Sequence, residues 1–140
     1  MSSTNQPTVD ANLEISAPTA LELVRLNLAY LIDIRQPFEL EVEGEIAAAI
    51  SLPLFQLKKS LGHTLNDEEQ ELLDADLPSQ QDPQHFLSLI NNLHYNKDRI
   101  LICVCNSGRR SLPATQLFRT LGYQRVFSLR GGYRMLKTIS

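Results

Sequence analysis

Ile100-Leu101-Ile102-Cys103-Val104-Cys105-Asn106-Ser107-Gly108-Arg109-Arg110-Ser111 is the stretch on which the reading turns. Its first five residues form an unbroken apolar run of strand length. Such a run is expected where a strand is covered on both faces, as in a parallel sheet. The run ends at Cys105 and passes into a short loop around Gly108. A helix is then expected from about Arg110 to Leu121, with Pro113 in its first turn, where a missing amide hydrogen costs little. Gly122 follows as its left-handed cap. The unit is therefore strand, cysteine, tight loop, helix.

Working outward, the same alternation recurs. Leu13-Glu14-Ile15 reads as a short strand, and Ser16 caps a helix to about Asn27 with Pro18 in its first turn. Ala29-Tyr30-Leu31-Ile32-Asp33-Ile34 is a second buried strand, broken by Arg35-Gln36-Pro37, after which Pro37-Phe38-Glu39-Leu40 opens a short helix. Ala49-Ile50-Ser51-Leu52 is a strand stopped by Pro53. Asn66-Asp67-Glu68-Glu69 has the form of a capping box before an acidic helix to about Asp74. Asp82-Pro83 caps a helix with Phe86, Leu89, Ile90 and Leu93 on one face. Val126 to Leu129 is a further strand, and Gly131-Gly132 turns the chain into a last short helix. Alternating strands and helices predict an α/β domain, with a mainly parallel sheet of about five strands and helices on both faces.

Composition bounds the function. The 140 residues suit one domain, with 43% hydrophobic and 21% charged residues. No apolar run nears the length of a membrane span. The N-terminus has neither the basic and apolar blocks of a secretory signal nor an arginine, so the cytoplasm is the expected compartment. The only cysteines, Cys103 and Cys105, are two apart and cannot staple distant segments. With His63, His85 and His94 scattered upstream they make a poor zinc site, and neither metal nor cofactor is expected. The net charge of −3 conceals an asymmetry: residues 99–140 hold eight basic side chains and no acid, while the other 98 residues net −11. Basic residues around a cysteine favour a thiolate and an anionic substrate. They lack interleaved aromatics, so nucleic acid is not an expected partner.

In an open parallel sheet, ligands bind beyond the carboxyl ends of the strands, where Cys105 falls. The first turn of the next helix has unpaired amide hydrogens that favour negative charge. Gly108 permits a curled backbone, and a run of curled amides makes an anion nest. Ser107 and Ser111 are hydroxyl donors. Arg110 is read either as an anion ligand or as a brace on the loop carbonyls, and Arg109 as a substrate guide or as solvated surface. Cys103, one step deeper on the same side of the strand, reads as packing or, alternatively, as a partner for an oxidised Cys105. Asp33 and Arg35, at another strand end, are candidate supports of the loop.

Cys105-Asn106-Ser107-Gly108-Arg109-Arg110-Ser111 resembles the active-site loop of the rhodanese-like domain family, Cys-x-Ser-Gly-x-Arg-Ser. Three further stretches resemble family motifs in the right order. They are Leu31-Ile32-Asp33-Ile34-Arg35-Gln36-Pro37-Phe38-Glu39, Gly44-Glu45-Ile46-Ala47-Ala48-Ala49-Ile50-Ser51-Leu52-Pro53, and the span from Leu121-Gly122-Tyr123 to Arg130-Gly131-Gly132. The resemblance covers about residues 13 to 137. It implies a rhodanese-like three-layer fold over 12–140, preceded by a disordered tail at 1–11 and carrying a longer helical insertion around 54–83. It also implies a sulfurtransferase in which Cys105 takes sulfane sulfur from a small anionic donor such as thiosulfate and passes it, as a persulfide, to cyanide or a cellular thiol. Asn106, Ser107, Gly108, Arg109, Arg110 and Ser111 would bind substrate, and Asp33 would bond to the cysteine loop or to Arg110. The family's usual His, Pro and Gly of the second motif are Glu45, Ala47 and Ala48 here, and Leu136 stands near a frequent Trp. None of these departures touches the nucleophile.

Two other readings compete. Phosphatase and arsenate reductase loops place the Arg six positions after the Cys. Here Arg110 follows Cys105 by five, a loop that suits one sulfur atom better than a tetrahedral phosphate. The alternative of a sulfur carrier or regulatory module that docks on a partner protein would use the acidic helix near Glu68 to Asp74.

Overall fold

The computed structural model describes residues 13–75, 88 and 99–139. The elements are β1 (Glu14–Ile15), α1 (Ala17–Arg25), β2 (Ala29–Asp33), α2 (Pro37–Glu43), β3 (Ile50–Ser51), α3 (Leu54–Ser60), α4 (Asp67–Asp74), β4 (Ile100–Val104), α5 (Ser111–Thr120), β5 (Val126–Leu129) and α6 (Gly132–Ile139). The five strands form one sheet in the order β1-β5-β4-β2-β3, and every pairing is parallel. This is the expected α/β class.

The apolar run of β4 is continuous because β4 is central. Leu101, Ile102, Cys103 and Val104 are all fully buried, alternately on the two faces of the sheet. One face packs Leu101, Cys103 and Cys105 with Ile32, Phe55, Leu57, Leu73, Ala114 and Phe118, and so lies under α3, α4 and α5. The other face packs Ile102, Val104 and Leu129 with Ala17, Ala20 and Leu136, under α1 and α6. The side-chain alternation of a strand thus puts both cysteines on the α5 side.

Local chemistry starts and stops the helices as the sequence suggests. The Ser16 hydroxyl accepts the Thr19 amide at the head of α1. Asn66 and Glu69 form a reciprocal capping box at α4, with Glu69 N–H donating to Asn66 Oδ1 at 2.7 Å. Gly122 has a φ of +103°, the left-handed conformation that ends α5. Two departures are instructive. α1 stops at Arg25, short of the expected end near Asn27, and Leu28 beyond it is half-exposed. Pro53 is followed by α3, a helix inside the helical insertion expected around 54–83 although the sequence reading places no separate helix there, and its first four residues are all buried. Its apolar positions Leu54, Leu57 and Leu61 keep helical spacing, and Leu54, Phe55 and Leu57 are buried in the core on this face of the sheet. The expected tail at 1–11 and the expected helix with Phe86, Leu89, Ile90 and Leu93 lie outside the described residues. Of the stretch 54–83, residues 54–75 are described and contain α3 and α4. No helix among the described residues is long and apolar enough to cross a membrane.

Candidate functional site

Strand order reverses between β2 and β4: the chain leaves β2 towards β3 on one side and leaves β4 towards β5 on the other. Crevices at such reversals, beyond the carboxyl ends of the strands, are where open α/β sheets hold ligands. Asp33 ends β2 and Cys105 directly follows β4, in adjacent strands paired Asp33 to Val104. The sheet therefore brings together two positions separated by a long stretch of sequence.

The loop turns inward on the cysteine sulfur. Gly108 N–H donates to Cys105 Sγ at 3.0 Å, which Gly108 achieves with a φ of +96°. Ser111 Oγ lies 3.5 Å from the sulfur, donates to Gly108 O at 3.1 Å, and sits 2.6 Å from Ser128 Oγ on β5. Cys105 is only 1% exposed. The thiol lies on the protein side of the loop, with one amide on it instead of a full ring. The N–H groups of Ser107, Arg109 and Arg110 meet no acceptor among the described residues. Their donors are unspent, as at the head of any helix.

The arginines divide the work differently from expectation. Arg35 is 0% exposed. Its Nε and Nη2 fork onto Asp33 Oδ1 and Oδ2 at 2.9 and 2.8 Å, its Nη1 donates to Asn106 Oδ1 at 3.1 Å, and its Nη2 also donates to Gly44 O at 2.9 Å. The Tyr133 ring covers the guanidinium at 4.3 Å. Asp33 thus reaches the cysteine loop through Arg35 and not directly, and its partner is not Arg110. Arg110 instead pairs bidentately with Glu39 of α2, Nη1 to Oε1 at 2.9 Å and Nη2 to Oε2, while Glu39 Oε2 accepts from Asn106 Nδ2 at 3.1 Å. Burial works against the Arg110 charge, but the Glu39 carboxylate outweighs it and the guanidinium pKa is raised. Arg110 braces the loop through a carboxylate, where bonds to backbone carbonyls were one expectation. Ser107 and Arg109 are exposed, and neither side chain hydrogen-bonds to a described residue.

Three participants escaped the sequence reading. Glu39 is the capping-box residue of α2, accepting the Gln36 amide at 2.9 Å, so its visible role is local. Ser128 lies mid-strand, and Tyr133 lies in a helix on the opposite face. Only Glu39 carried a signal, as the first of three carboxylates in the helix that opens at Pro37, close to a strand end. Cys103 is fully buried, and burial pushes its thiol up to about 12, with the neighbouring Cys105 adding to the rise and a Thr115 hydrogen bond opposing it. This is the packing cysteine that the sequence suggests. Among the described residues no three His, Cys, Asp or Glu side chains gather as a metal site requires.

α6 locks the loop from the other side. Tyr133 N–H donates to Cys105 O at 2.7 Å and Arg134 N–H to Asn106 O at 3.1 Å, so the first amides of α6 cap the carbonyls of the cysteine loop. This contact requires Gly132. Its φ is +62°, and an added Cβ would lie 2.3 Å from Cys105 O and 2.6 Å from the Asn106 carbonyl carbon. Both are backbone atoms and cannot swing away. Gly132→Ala is expected to lose at least about 1–2 kcal/mol from backbone conformation alone, and more from the clash. Urea unfolding reads the loss as a lower midpoint with unchanged slope. An unchanged midpoint would show that the loop tolerates the methyl group.

Fold and loop together define an α/β protein that presents one cysteine to a helix-heading turn at the switch point of a parallel sheet. The chain belongs to the rhodanese-like domain family, whose model matches residues 16–138. It is 29% identical over 121 residues to the Homo sapiens thiosulfate:glutathione sulfurtransferase, covering 86% of this chain and 89% of that protein. It is 29% identical over 104 residues to a rhodanese domain-containing protein of Drosophila melanogaster, covering 74% and 78% of the two chains. Its structure resembles that of a human single-domain sulfurtransferase with a TM-score of 0.62 and 26% identity, over 91% of this chain and 97% of the other.

Proposed function

We propose that the protein is a sulfurtransferase that carries sulfane sulfur on Cys105, taking it from thiosulfate or a similar donor and giving it to a small thiol. The observation that carries this reading is the Gly108 amide aimed at Cys105 Sγ in a loop whose other N–H groups are unspent. In the first half-reaction the Cys105 thiolate attacks the outer sulfur of thiosulfate. The S–S bond of the donor breaks, sulfite leaves with the bonding pair, and the enzyme holds a persulfide, Cys105–S–S⁻. The unspent amides and the head of α5 stabilise that charge. In the second, the persulfide takes up a proton and an acceptor thiolate attacks its outer sulfur, returning the electron pair to Cys105. The product is the acceptor's persulfide. The human relative's name, with thiosulfate and glutathione as its two substrates, supports this choice of donor and acceptor. The Arg110–Glu39 pair supports it against phosphatase chemistry, since the arginine that a phosphate dianion would need is held by a carboxylate.

Mass spectrometry after exposure to thiosulfate tests it. One sulfur, about 32 Da, is expected on the peptide containing Cys105, removed by cyanide, as covalent two-step transfer requires. Unmodified protein after prolonged exposure to excess thiosulfate would refute the proposal for this donor.

A further inference from the structure

We propose that the cavity between α3, α4 and α5 is the binding site of the sulfur acceptor, and that it takes a small thiol carrying both carboxylate and ammonium groups. This rests on the sulfur-transfer reading above and adds where the second substrate sits. The cavity has a volume of about 460 Å³, within the range of roughly 300–1,000 Å³ common for small-molecule sites. It lies beside the cysteine loop and not over it. Cys105 is not in its wall, but Arg110, the last loop residue before α5, is.

The lining argues for the class of ligand. Phe55, Leu72 and Leu117 give apolar wall. Polar groups of opposite character meet at the rim: His63 and Glu68 are exposed, and neither side chain is engaged by a described residue. An inorganic sulfur oxyanion has no use for apolar wall of this extent and is repelled by Glu68. A cyanide ion is far too small to fill the space. A zwitterionic organic thiol uses all of it: Glu68 faces its ammonium, a ring N–H of His63 donates to its carboxylate, and its carbon chain covers Leu117 and Phe55, while Arg110 stays on Glu39. With its thiol at the Arg110 end, the acceptor thiolate attacks the outer sulfur of Cys105–S–SH. The S–S bond to Cys105 breaks, the pair returns to Sγ, and the acceptor leaves as its persulfide with the proton.

Gln116→Trp tests the site. Gln116 is exposed on α5, lines the cavity and makes no hydrogen bond with the loop. Filling the space should raise KM for glutathione about tenfold with little change in kcat, the mark of lost binding. With cyanide as acceptor, KM should stay at the parent's value, as should sulfur loading from thiosulfate. An unchanged glutathione KM would overturn the proposal. So would a parallel rise for both acceptors, which would locate the damage in the cysteine loop. Should the protein fail to load sulfur at all, the transfer reading falls, but the cavity is still tested. Titration with S-methylglutathione, which has no thiol to react, should shift the amide resonances of Glu68, Gln116 and Leu117, and shifts confined elsewhere would overturn the site.

Discussion

A Cys105→Ser variant will carry no sulfur after exposure to thiosulfate, and its turnover will fall by at least about a thousandfold, as loss of a covalent nucleophile does. Cys103→Ala will load sulfur at close to the parent's rate, at a stability cost of about 1 kcal/mol, typical of a modest core substitution. The pair of results separates two sulfurs that stand two residues apart on the same side of one strand. Cys103 is flanked by Ile32 of β2 and Ser128 of β5, inside the sheet. Its thiol is pushed up to about 12 by burial, which keeps it protonated and unreactive at neutral pH. Cys105 is past the last ladder pair, where the chain has left the sheet and the Gly108 amide meets its sulfur. Mass spectrometry of the two variants and stopped-time assays with cyanide decide the matter. Sulfur found on Cys103 in the Cys105→Ser protein would show that the loop geometry does not select the nucleophile.

The nucleophile and its strand were legible because their causes are local. A five-residue apolar run, a glycine three residues after the cysteine and a proline in the next helix's first turn each have a physical reason within a dozen residues. The parallel sheet was legible for a related reason, since β2 and β4 are apolar on both faces. The bracing of the loop was not. Arg35 and Asn106 are separated by 71 residues, as are Glu39 and Arg110. No spacing rule pairs an arginine with one carboxylate over another across such a distance. Asp33 and Arg35 were found as neighbours at a strand end, yet their link to the loop runs through the arginine, and only the geometry reveals which of the two touches Asn106. The cavity was hidden for the same reason: its wall is assembled from α3, α4 and α5, and α5 lies far beyond the other two in sequence.

Arg35→Met should be the most destabilising single change in the neighbourhood of the site. Arg35 spends its donors on Asp33, Asn106 and Gly44, and both its side chain and that of Asp33 are essentially without solvent contact. Methionine fills much of the same volume but leaves the Asp33 carboxylate buried with no cation. Stranding one partner of a buried ion pair costs about 3–5 kcal/mol, a large share of the roughly 5–15 kcal/mol that hold a domain together. Arg35→Lys should recover only part of this, because an ammonium cannot fork onto two carboxylate oxygens while also reaching Asn106 and Gly44. The double variant Asp33→Asn with Arg35→Met removes the stranded charge and should be more stable than Arg35→Met alone, by about 1–3 kcal/mol. Urea unfolding of the parent, Asp33→Asn, Arg35→Met and the double variant closes the cycle. If Arg35→Met shifts the midpoint no more than a surface change does, about 0.5 kcal/mol, the pair is not what holds the ends of β2 and β4 together. A double variant as unstable as Arg35→Met would place the cost in the lost Asn106 and Gly44 bonds instead. In that case the Arg35 contribution would be to the shape of the cysteine loop, and sulfur loading would fall in step with stability.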